Sequence, residues 1–109
     1  MTKRLVYQQG DVLLYATSEL PAEATLVQPR DGRYVLAEGE ATGHAHALEA
    51  TPAVELYEKD GTLYLRVAPE APPLTHEEHG PHTLEPGLYE VGRVLEVDPF
   101  ADEIRAVTD

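Results

Sequence analysis

Val54-Glu55-Leu56-Tyr57-Glu58-Lys59-Asp60-Gly61-Thr62-Leu63-Tyr64-Leu65-Arg66-Val67 decides the fold class of this chain. Two arms rich in β-branched, aromatic and aliphatic residues flank one Asp-Gly pair, the strongest short-range signal for a β-hairpin. The turn needs positive φ, which Gly supplies and Asp tolerates. Working outward, a second pair, Asp31-Gly32, predicts a hairpin joining Thr25–Arg30 to Arg33–Glu38, with Pro29 making the incoming arm an edge or irregular strand. Leu5–Gln8 and Asp11–Ala16 read as strands nearer the start. In Leu88–Val97, Tyr89, Val91, Leu95 and Val97 share a face that Arg93 interrupts, and Gly92 predicts a bend or bulge. Only Ser18–Ala24 and Phe100–Val107 have helical character, and Pro69-Glu70-Ala71-Pro72-Pro73 predicts an extended connector. The expectation is a single all-β domain over residues 1–109, a small barrel or two-sheet sandwich of about eight short strands.

Composition narrows the function. At 109 residues the chain suits one core. It has no Cys, which excludes disulfide frameworks, thiolate metal sites and thiol nucleophiles. The formal charge is -12, carried mostly by residues 55–109, and such a surface repels phosphate backbones and anionic lipid. Neither nucleic acid nor membrane is therefore an expected partner. The opening residues have too short an apolar run for a signal peptide and no stretch suits a membrane span, so a cytoplasmic protein is expected.

The chemistry-bearing residues are the histidines. All five fall in two windows, Gly39-Glu40-Ala41-Thr42-Gly43-His44-Ala45-His46-Ala47-Leu48-Glu49 and Thr75-His76-Glu77-Glu78-His79-Gly80-Pro81-His82. On a strand, residues i and i+2 project from one face, so His44 and His46 can reach a single cation. His76 and His79 are three apart and converge only from a loop, which Gly80-Pro81 favours. Candidate metal ligands are thus His44, His46, His76 and His79, with a divalent transition metal (Zn, Ni, Fe, Mn or Cu) as the implied ion. Glu40, Glu49, Glu77 and Glu78 are candidate carboxylate ligands or orienting partners. The competing readings are a His/Glu hydrogen-bond network and a solvated surface. His82 is the weakest of the five, because it follows Pro81 and leads into the next β-segment. Ser18 is the sole Ser and lacks a nucleophile elbow, and neither Lys3 nor Lys59 follows a Gly-rich phosphate loop.

Together Gln9-Gly10-Asp11-Val12-Leu13-Leu14, Gly39-Glu40-Ala41-Thr42-Gly43-His44-Ala45-His46, His76-Glu77-Glu78-His79-Gly80-Pro81 and Pro86-Gly87-Leu88-Tyr89 resemble a group of small uncharacterised bacterial and phage-associated proteins. That group often carries an Arg-Gln-Arg-Glu-Tyr-like segment after the Pro-Gly-x-Tyr. Here Arg93 and Glu96 match, whereas Val94, Leu95 and Val97 depart from it. Its position at His82 is usually apolar. A weaker similarity is to cupins, small barrels with a Gly, His-x-His, a later Glu and a further His. Gly39, His44, His46 and Glu49 match in part, and His76 or His79 stands for the later His. Glu49 comes one residue early, and Pro86-Gly87 follows the second cluster instead of preceding it. The cupin resemblance implies a barrel holding a cation. Two functions are expected from these observations, a metal-binding β protein or an oligomeric accessory module without catalysis. Nothing in the sequence specifies a reaction.

Overall fold

The computed structural model describes residues 4–38, 44–77, 79–93, 95–98 and 103–106. The all-β expectation holds. β1 (Arg4–Gln9), β2 (Val12–Thr17), β3 (Thr25–Leu26), β6 (Val54–Lys59), β7 (Thr62–Val67) and β8 (Gly87–Arg93) form one antiparallel sheet in the order β1-β2-β8-β7-β6-β3. β4 (Arg33–Glu38) and β5 (Ala45–Glu49) form a second antiparallel sheet. β9 (Leu95–Asp98) and β10 (Glu103–Ala106) pair as a further hairpin. Among the described residues no ladder closes into a barrel, because β1 and β3 end the larger sheet. None of them forms a helix long and apolar enough to cross a membrane.

Local chemistry explains the turns. Asp60 and Gly61 both take positive φ, 52° and 84°, and close β6 onto β7 from Lys59↔Thr62 back to Val54↔Val67. Asp31 and Gly32 do the same at 53° and 77°, with Arg30 and Arg33 exchanging backbone bonds across them. There the expected hairpin stops. The arm Thr25–Arg30 contributes only Thr25–Leu26, which pairs with Glu58 and Tyr57 of β6, while β4 turns to β5. Pro29 offers no N–H to continue the ladder toward β4. The two helical expectations are also overturned. Ser18–Ala24 is turn and irregular chain, and Glu103–Ala106 within Phe100–Val107 is strand. Gly92 marks no bulge, since β2 and β8 stay in register from Val12↔Arg93 to Thr17↔Leu88. A Cβ there would come within 3.1 Å of the Tyr15 ring, so close packing accounts for the glycine. The connector after β7 begins as a turn, with Ala71 N–H donating to Ala68 O and Glu70 at φ 74°.

Alternation sends one face of each long strand inward. Val12 and Leu14 of β2, Val54 and Leu56 of β6, and Leu65 and Val67 of β7 are buried, with their neighbours more exposed. Leu36 and Leu48 of the smaller sheet join this core, as do Leu74 and Leu84 from the loop between β7 and β8. β8 links the N-terminal hairpin to the central one, and its position brings residue 93 beside the β1–β2 turn. Replacing Leu65, which is fully buried, by Ala should cost about 2–5 kcal/mol, read as a lower urea midpoint at unchanged m.

Candidate functional site

The site grows from a tight turn. Gly10 and Asp11 connect β1 to β2, with φ of 56° at Gly10 and Gln9 paired to Val12. Gln9 points inward and is 2% exposed. Its amide nitrogen donates to Leu74 O at 3.0 Å and to Gly80 O at 2.9 Å. These carbonyls belong to the loop that carries the second histidine window. The loop is closed at its base by reciprocal backbone bonds between Leu74 and His82, each 2.9 Å. Thr75 then docks on β5, exchanging backbone bonds with Ala47 at 3.0 and 2.8 Å. Chain pairing on both edges of β5 helps explain why Ala45, His46, Ala47 and Leu48 are all buried.

This docking gathers the four candidate histidines. The His76 ring stands centrally, 4.2 Å from the His46 ring, 4.7 Å from His79 and 5.6 Å from His44, measured between centroids. His46 and His79 stack at 6.0 Å with 16° between their planes. A Cβ at position 10 would lie 2.7 Å from His79 Nε2 and 3.3 Å from His46 Cε1. Glycine is therefore required there twice, for its backbone and for the space the rings occupy.

Within the cluster, donor atoms of His44, His76 and Glu77 lie within 4.8 Å of one another. One Glu77 oxygen accepts the Ala45 N–H at 2.9 Å. That backbone bond is the main reason its carboxyl sits below the usual carboxylate range, so it is ionised at neutral pH. His46 is set differently. With the Gln9 amide nitrogen committed to two carbonyls, Gln9 Oε1 can only accept, so His46 Nδ1 carries the hydrogen of their 2.9 Å bond. Nε2 then bears the lone pair and faces Asp11 Oδ1 at 3.4 Å. Burial, aided by the neighbouring His76, pushes the His46 pKa down to about 4 against the opposing pull of Asp11. Asp11 Oδ2 takes the Arg93 guanidinium, with Nε at 3.0 Å and Nη2 also donating.

The windows read in the sequence thus meet at one place, although Glu77 enters the three-donor set ahead of His46 and His79. His82 does not join them; its ring meets Tyr7 edge-on at 6.2 Å. Glu49 is exposed at the end of β5, opposite Arg33. Glu40 and Glu78 lie outside the described residues. Sequence reasoning passed over Gln9, Asp11 and Arg93 as site residues. The available signals were the Gln-Gly-Asp string and the one basic residue on an apolar strand face.

The chain matches the family described as a domain of unknown function, DUF8820, over residues 8–94, which include the whole cluster. No curated protein and no solved structure matches it.

Two outcomes are expected of metal-stripped protein. Gln9→Leu takes the Gln9 partner from Gly80 O and His46 Nδ1, leaves Leu74 O with the His82 N–H as its donor, and should cost about 2–4 kcal/mol in denaturant unfolding. His46 binds its proton less readily when folded, so the unfolded chain holds more protons between pH 6.5 and 4. Stability should fall as pH drops through that window, by at most about 3 kcal/mol from this ring. Comparing the unfolding free energy of wild type and His46→Gln at pH 7 and pH 4.5 isolates it, and the variant should lose the smaller amount.

Proposed function

The chain belongs to the DUF8820 family, and we propose that it holds a divalent transition metal ion through His44, His76 and Glu77. The observation that carries this reading is the approach of two imidazoles and one ionised carboxylate to within 4.8 Å of one another, from segments 32 residues apart in the chain. Two nitrogens and one oxygen form a donor set used by Zn and by non-haem Fe, and Ni and Mn also suit such ligands. Three protein donors leave room for water on the ion. The formal charge of -12 favours cation accumulation around the molecule.

An ion there acts as a clasp. His44 leads into β5, whereas His76 and Glu77 belong to the loop docked on it, so coordination cross-links the smaller sheet to that loop. The resemblance to cupins supports a cation held by a His-x-His window and a later His. Its closed barrel is not part of this reading; one core shared by both sheets supports a two-sheet sandwich.

The test is thermal unfolding of the untagged, chelator-stripped chain with Zn, Ni, Mn or Fe(II). Free metal at 100 times its Kd stabilises by about 2.7 kcal/mol. For a domain of this size that corresponds to a rise in Tm of roughly 10–20 °C. His76→Ala should abolish the rise. An unchanged Tm with every ion, together with no metal retained after dialysis, refutes the proposal.

A further inference from the structure

We propose that a cavity at the end of the larger sheet, where β1 and β8 begin and β2 ends, binds a free α-amino acid with an apolar side chain. Arg4 takes its carboxylate and Glu85 its ammonium group. None of the residues lining this cavity belongs to the histidine cluster, so the inference is independent of the ion reading.

The cavity measures about 450 Å³, within the range of about 300–1,000 Å³ that small-molecule sites occupy. A β-bulge builds one wall. β1 pairs Leu5 with Tyr15 and Tyr7 with Leu14, which leaves Val6 as the extra residue. Val6 and Tyr7, although consecutive, therefore both pack against the core, where regular alternation would turn one of them away. Arg4 lies on that same side of the strand, opposite Ala16. Pro86 and Leu88 supply the apolar boundary on the β8 side.

The facing wall is set by two tyrosines whose rings pack edge-on at 5.8 Å. Tyr7 OH accepts the Glu85 N–H at 3.1 Å, and Tyr89 OH donates to Glu85 O at 2.5 Å. The backbone of residue 85 is thus gripped from β1 and β8, and its side chain takes no part in these bonds. Among the described residues, neither the Arg4 guanidinium nor the Glu85 carboxylate has a hydrogen-bonding or ion-pair partner, although both residues line the one cavity. Opposite charges that share a cavity without meeting are complementary to a ligand that carries both. A simple carboxylate would be opposed by Glu85, and a simple amine by Arg4. A zwitterion satisfies each, and it has no net charge for a chain of formal charge -12 to repel.

The test is titration of the isotope-labelled full chain with L-phenylalanine, followed by backbone amide NMR shifts. Saturable changes are expected, largest at residues bordering the cavity such as Val6, Thr17 and Leu88. Arg4→Gln and Glu85→Gln should each weaken binding about fivefold or more. Both side chains are exposed, so neither substitution threatens the fold. N-Acetyl-L-phenylalanine lacks the ammonium charge, and L-phenylalaninamide lacks the carboxylate. Each should bind wild type more weakly than the amino acid, the first insensitive to Glu85→Gln and the second to Arg4→Gln. No saturable shift up to the solubility limit of the amino acid, equal affinity for either single-charge analogue, or undiminished binding in either variant overturns the proposal.

Discussion

The side-chain amide of Gln9 is the interaction on which the rest of the site depends. A buried primary amide must find partners for two N–H groups and one oxygen or forfeit their hydration. Here Leu74 and Gly80 take the donors, and His46 supplies the hydrogen that the oxygen accepts. Three segments distant in sequence are thereby held at one point: the first hairpin, the loop before β8, and β5. The same constraint selects which ring nitrogen of His46 is bare, so one side chain sets both backbone placement and site chemistry.

Sheet order supplies the second half of the arrangement. β8 lies between β2 and β7, and its register against β2 sets Arg93 opposite Val12. The adjacent Asp11 then meets the guanidinium, and its carboxylate is oriented for His46. A basic residue that breaks an apolar face looks like a defect along one strand. Across two strands it positions the carboxylate at the inner end of the ring cluster.

What could be read in advance followed locality. The Asp60-Gly61 hairpin was legible because its arms and turn are contiguous, and observed bounds match the expected ones. At Asp31-Gly32 the turn was legible and the pairing was not, since β3 is set by a non-local ladder to β6 and β4 by one to β5. Glu103–Ala106 has too few residues for helical periodicity to decide, and pairing with β9 makes it strand. Ser18–Ala24 carries Pro21 in its middle, which has no N–H to donate and disfavours helical backbone at Leu20. The histidine windows stood out because each is short and dense. That they face one another follows from the Thr75–Ala47 bridge and the Gln9 bonds, which spacing alone does not encode. Asp11 entered the site through strand register, which is why its role had no sequence signature beyond its neighbours.

The reciprocal Leu74–His82 bonds have a consequence for the proposed ion site. They shut the base of the loop, and Thr75 stitches its wall to β5, so the entropy of arranging His76 and Glu77 is expended while the chain folds. Rings held that way have little freedom to expand or contract around a guest. For the proposed ion, discrimination among cations of similar charge would then fall to radius and preferred coordination angle, as in a rigid macrocycle, more than to the number of donors that a floppy segment can recruit.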